Sequence, residues 1–219
     1  MTILPDTIRI LCYGDSNTWG REPQGDRYAA AARWTGVLQR ELGNDYEIIE
    51  EGLVKRTTNL DDPDFVGKNG KTYLVPCLES QNPIDVVILM LGTNDLKQKY
   101  NRTPAQVGEA IGELIALTKQ YGKSSAQQTP HILLLSPPFV DEHFAQPEFL
   151  EAEVKSRALA AELAQVAQKN SCSFIDIGQI VLPSQRDGIH LEPEMHEKIG
   201  ERLADELRVL AKRPPQNDI

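Results

Sequence analysis

The chain has 219 residues, 40% hydrophobic and 25% charged, which suits a folded globular protein with a substantial core. It carries 23 basic against 32 acidic residues, a formal charge of −9. That balance repels phosphate backbones and anionic bilayers, so neither nucleic acid nor a membrane is an expected partner.

Cys12, Cys77 and Cys172 form no CxxC pair, and an odd count closes no disulfide framework. Reduced thiols in the cytoplasm are expected, with Cys12 acting as a small core residue. The first residues hold no basic segment followed by an apolar one, so the mature chain is expected to begin near Met1. The longest apolar run, 86–91, is too short to span a bilayer.

In chain order, short β-rich runs alternate with longer amphipathic stretches. Residues 8–13 (IRILCY) read as a first strand, followed by a polar loop over 21–33. Helical spacing predicts a helix over 34–42, and Ile48 and Ile49 mark a second strand within 46–50. A loop over 61–71 leads on to a third strand, 86–91 (VVILML). Thr103 and Pro104 read as the N-cap and first residue of a helix that runs to Gly122. A fourth strand, 131–136 (HILLLS), precedes a loop over 139–147 and an Ala/Glu-rich helix over 148–168. The fifth strand is 173–177, and Pro193 opens a last helix reaching about Lys212, with a frayed tail over 213–219.

Continuous apolar runs in the third and fourth strands imply parallel strands covered on both faces. The expected fold is α/β: one domain over 1–219, a three-layer α/β/α sandwich with a five-stranded, mostly parallel, flavodoxin-like sheet. In such sheets the functional loops follow the carboxyl ends of the strands.

Four segments there carry candidate chemistry. Gly14-Asp15-Ser16 follows the first strand; a serine hydroxyl is a nucleophile only beside a base, and a lone GDS is more often a helix cap. Asp187-Gly188-Ile189-His190 follows the fifth strand and offers a base with its orienting carboxylate, or else a solvated turn. Gly92-Thr93-Asn94-Asp95 follows the third, where an amide can donate to a developing oxyanion. Residues 51–58, after the second, can add a backbone N–H. No GxSxG elbow occurs. Each segment alone has a bland reading, but all four meet at one sheet edge, and together they are the parts acyl transfer needs.

These motifs resemble the SGNH hydrolases, the GDSL esterase/lipase family, and especially its bacterial arylesterase/acyltransferase branch. The similarity is carried by GDSNTWG at 14–20, RWTGVL at 33–38, EEGLVKRTTN at 50–59, MLGTND at 90–95, SPP at 136–138 and DGIH at 187–190. It implies the SGNH hydrolase fold, Ser16 as nucleophile, His190 as general base and Asp187 as its orienting acid. It implies an oxyanion hole from the Ser16 N–H, the Asn94 side chain and a backbone N–H of the second motif. That last position is often glycine in the family and is Lys55 here, with Gly52 read as serving a tight turn. Asp15, Asn17, Trp19, Thr93 and Ile189 are the candidate substrate-side residues, with core packing the competing role for Trp19 and Trp34. Asp15 and Asp95 are expected to hold their loops through backbone hydrogen bonds.

His131, His143 and His196 read as surface or strand-end residues, and no metal or other cofactor is implied. The expected activity is hydrolysis of small-acyl esters of aryl, alkyl or sugar alcohols, with water or an alcohol as acyl acceptor. The resemblance also raises assembly into a homo-oligomer. The same triad would serve a carbohydrate O-acetylesterase, a thioesterase or a lysophospholipase. A non-catalytic binding domain on this fold is the remaining alternative.

Overall fold

The structure, a computed structural model, describes residues 7–211. Five strands form its sheet: β1 (Ile8–Gly14), β2 (Tyr46–Gly52), β3 (Val86–Met90), β4 (His131–Ser136) and β5 (Ser173–Asp176). Their order is β2-β1-β3-β4-β5, and every pairing is parallel.

Side chains alternate between the faces of a strand, and here both faces are dry. Ile10, Cys12, Ile88, Met90 and Leu133 pack with α2 (Trp34–Leu42) and α6 (Pro193–Ala211). Their neighbours Leu11, Tyr13, Val87, Leu89 and Leu134 pack with α3 (Gly70–Gln81), α4 (Pro104–Tyr121) and α5 (Ala152–Lys169). That double burial is why the central strands are apolar at nearly every position, each side chain contributing roughly 1.5–3 kcal/mol.

The start of α4 follows its sequence signature. The Thr103 hydroxyl accepts the Gln106 N–H, Gln106 reaches back to the Thr103 N–H, and Pro104 occupies the first helical position.

Three elements differ from expectation. The sequence pattern does not predict α3, because Pro76 lies inside it and its apolar residues recur over barely one turn; burial of Leu74, Cys77 and Leu78 decides the matter. The helix expected from 148 starts at Ala152, after a 3₁₀ turn over Pro147–Phe149. His196 is not a surface residue. It lies wholly buried on α6, where its Nδ1 accepts the Trp34 N–H at 3.3 Å and its ring meets Tyr28 edge-on at 5.5 Å. Burial, with smaller contributions from the neighbouring His190 and Arg33, lowers its pKa to about 4. Lys212 and the tail over 213–219 lie outside the described residues.

The chain moves from β1 outward to β2 and then returns across β1 to β3. The carboxyl ends of β1 and β3 therefore flank a point where the winding reverses, the position at which open α/β sheets form crevices.

Candidate active site

Ser16 opens α1 (Ser16–Trp19), two residues beyond the end of β1. Asp15 caps this short helix by accepting the Asn17 N–H at 3.0 Å. The Asn17 side-chain amide donates to the Ile189 carbonyl at 3.2 Å, tying the serine helix to the 187–190 loop. Across that tie, Ser16 Oγ lies 2.9 Å from His190 Nε2, and His190 Nδ1 lies 2.7 Å from Asp187 Oδ2. The other Asp187 oxygen accepts the N–H groups of Ile189, at 3.1 Å, and His190, at 2.9 Å.

Gly188 makes that loop bend. Its φ is +69°, and an added Cβ would stand 2.2 Å from the Asp141 carbonyl oxygen. Burial pushes the Asp187 carboxyl up, but its hydrogen bond and attraction to His190 and the two backbone N–H groups prevail, holding it near 2. It is therefore ionised at neutral pH and fixes Nδ1 as the donor, which leaves Nε2 able to accept from Ser16.

Opposite the serine, Asn94 starts a 3₁₀ turn after β3 and donates its amide to the Arg56 carbonyl at 3.1 Å. Asp95 accepts the Thr58 N–H and hydroxyl, which holds the loops after β2 and β3 together. Burial raises both Asp15 and Asp95 to about 6, against the opposing pull of these hydrogen bonds.

Lys55 has φ +68°, in the left-handed region. That explains the resemblance to a glycine position and costs a residue with a Cβ about 1 kcal/mol. Among the described residues, neither the Ser16 N–H nor the Lys55 N–H is engaged by an acceptor. Gly52 does not serve a turn. It ends β2, and a Cβ there would stand 2.2 Å from the Trp19 nitrogen, so its role is to admit α1.

The structure thus brings Ser16, His190 and Asp187 into one hydrogen-bonded relay, with Asn94 and Arg56 linked at the same sheet edge. Thr93 and Ile189 are buried beside it, and Trp19 is half-buried under the Arg27 guanidinium, 4.9 Å from its ring centre. Trp34 is wholly within the core.

Residues 12–198 match the GDSL-like lipase/acylhydrolase family. The chain belongs to that family. This GDSL-family chain is 37% identical to the native aryl esterase of M. smegmatis, over 93% of its own length and 99% of that protein's, with a TM-score of 0.86. The inhibitor-bound form of the M. smegmatis enzyme gives 38% identity, the same coverage and a TM-score of 0.87. A carbohydrate acetylesterase from Sinorhizobium meliloti gives 36% identity, 93% and 99% coverage and a TM-score of 0.87. No curated protein matches the chain. The five-stranded α/β fold is that of the SGNH hydrolases, and the GDSL-family chain is an ester-hydrolysing enzyme acting on small-molecule esters. Among the described residues, no helix is long and apolar enough to cross a membrane.

Sequence reasoning passed over one residue at this edge. Arg56 sits within the second motif, but a single arginine beside a lysine reads as solvated, and only the sheet register shows that it is buried.

Proposed function

We propose that this chain is a serine esterase for small acyl groups, acetyl-type, on aryl, alkyl or sugar alcohols. Ser16 is its nucleophile, His190 its general base and Asp187 the group that orients His190. The observation that carries this reading is the unbroken line of hydrogen bonds from Ser16 Oγ through His190 to Asp187, at 2.9 and 2.7 Å.

His190 Nε2 takes the hydroxyl proton as Ser16 Oγ bonds to the ester carbonyl carbon. The carbonyl oxygen becomes negative and is stabilised by the Ser16 N–H, the Lys55 N–H and the second amide proton of Asn94. Collapse expels the alcohol, which receives its proton from His190. Water, deprotonated by the same imidazole, then releases the acid and restores the hydroxyl.

The aryl esterase and carbohydrate acetylesterase neighbours support the small-acyl preference. The reading has one domain spanning the chain, an acyl-enzyme that an alcohol can also resolve, a homo-oligomer, and a cytoplasmic location. A fluorophosphonate probe should label the protein at Ser16 and not label Ser16→Ala. A panel of p-nitrophenyl esters and acetylated sugars should show turnover falling as the acyl chain lengthens. An unlabelled wild-type protein with no turnover on the panel would overturn the assignment.

A further inference from the structure

Arg56 is only 2% exposed, and among the described residues no carboxylate pairs with it. Its Nη1 donates to the carbonyl of Gly14 at 2.9 Å and to that of Glu51. Gly14 ends β1 and Glu51 is the penultimate residue of β2. The guanidinium lies 4.1 Å from the ring centre of Tyr13 and 5.3 Å from that of Tyr73. The Arg56 N–H closes a turn onto the Leu53 carbonyl at 3.0 Å, and Lys55 lies within that turn. The Arg56 carbonyl accepts the Asn94 amide. One residue therefore touches the strand end that leads to Ser16, the turn that carries Lys55, and the side chain of Asn94.

A buried charge with no salt-bridge partner is costly, and an apolar side chain of similar volume would fill the space more cheaply. What an apolar side chain lacks is a rigid donor plane that can bind two carbonyls of adjacent strands. We propose that Arg56 is the positioning residue of the oxyanion hole, holding the Asn94 amide and the Lys55 turn in register with Ser16. This rests on the esterase reading above. The charge of Arg56 also opposes the upward push that burial gives the Asp15 carboxyl, so its field reaches the neighbour of the nucleophile.

The test is a double-mutant cycle in hydrolysis of p-nitrophenyl acetate, with Arg56→Met, Arg56→Lys, Asn94→Ala and the combined variants. Arg56→Met should lower kcat roughly 10- to 100-fold, since it loosens a donor whose outright removal costs about 100- to 1,000-fold. KM should stay within about threefold, because Arg56 is buried beneath the turn and away from the surface. Arg56→Lys, which keeps the charge but not the plane, should fall between. In the Asn94→Ala background either substitution should cost several-fold less than it does with Asn94 present, since one of the two donors being positioned is gone and only the Lys55 turn is left to hold. If Arg56→Met does not fold, the Arg56→Lys arm of the cycle carries the same expectation.

Equal losses with and without Asn94, or a rise in KM at unchanged kcat, would overturn the positioning role. Wild type that is labelled at Ser16 and hydrolyses ester, yet gives an additive cycle, removes Arg56 alone. Wild type that does neither removes the esterase reading and this inference with it.

Discussion

Asp187→Asn is the sharpest test of the relay, because the backbone dictates how the new amide must sit. In the native loop Asp187 Oδ1 accepts two N–H groups, from Ile189 and His190, while Oδ2 faces His190 Nδ1 at 2.7 Å. Asparagine has one oxygen. Placing it at the Oδ1 position keeps two hydrogen bonds of about 1 kcal/mol each; the opposite orientation turns an NH₂ group onto two backbone donors. The first orientation wins, so an NH₂ group points at Nδ1. Nδ1 must then accept, which puts the ring proton on Nε2, facing Ser16. An imidazole in that tautomer cannot take the hydroxyl proton. A carboxylate-to-amide change at this position of a serine triad costs about 10⁴ in kcat. The expected loss is therefore about 10³- to 10⁴-fold, or roughly 4–5.5 kcal/mol of barrier. Initial rates on p-nitrophenyl acetate measure it, and the rate of fluorophosphonate labelling should fall in parallel, since both need the base. The melting temperature should change little, as the loop keeps its backbone bonds. A variant retaining more than a tenth of wild-type kcat would refute the argument that Asp187 sets the tautomer.

Asn94→Ala should cost on the order of 3 kcal/mol of barrier, about 100-fold in kcat, with an unchanged fold by circular dichroism; near-normal turnover would remove Asn94 from the hole. Lys55→Gly should leave kcat within about threefold, because the donor is a backbone N–H and glycine accepts φ +68° without strain. A large loss there would instead implicate the ammonium, which lies 3.1 Å from the Phe65 ring centre. His196 predicts a pH effect on stability. Its folded pKa of about 4 lies below the ordinary value of 6.5, so between those limits the unfolded chain binds a proton that the fold refuses. Its contribution is complete above the unfolded value and is lost as pH falls toward 4, by about 3 kcal/mol in total. Asp15 and Asp95, raised to about 6, act in the opposite direction over the acid range, so the measurement must be a difference. Urea unfolding of wild type against His196→Gln should show the gap between them shrinking from pH 7 to pH 4. A constant gap would mean that the buried ring titrates normally.

The parts of the fold legible in the sequence are those where local chemistry and tertiary burial agree. The apolar runs of β3 and β4 announce a sheet covered on both faces, and Thr103-Pro104 announces a helix start that the structure forms with a full capping box. Where the two disagree, the sequence misleads. Pro76 argues against a helix that the packing of Leu74, Cys77 and Leu78 nonetheless stabilises. His196 reads as polar surface, yet the α2–α6 interface encloses it and gives it the Trp34 N–H as a partner. The candidate site divides in the same way. Asp187 and His190 are three residues apart with a glycine between them, so their pairing is nearly a local property. Ser16 meets His190 across 174 residues of sequence separation, and only the strand order brings them together.

The turn after β2 shows why Lys55 is read only through the resemblance and Arg56 not at all. Its ends are pinned by the Leu53 N–H to the Gly14 carbonyl, at 3.1 Å, and by the Arg56 N–H to the Leu53 carbonyl, at 3.0 Å. Within that turn one residue stands in the left-handed region, and it is Lys55. The strain, about 1 kcal/mol, is small beside the two hydrogen bonds that pin the turn and the two carbonyls that Arg56 gathers beneath it. Lysine and arginine side by side ordinarily read as solvent-exposed. Here the first is bent by neighbours distant in sequence, and the second is drawn inward by carbonyls whose positions depend on β1 and β2 pairing Gly14 with Gly52. A backbone donor and a buried guanidinium set by register leave no mark in residue type, so the first is found by motif alignment alone and the second becomes readable only once the sheet is assembled.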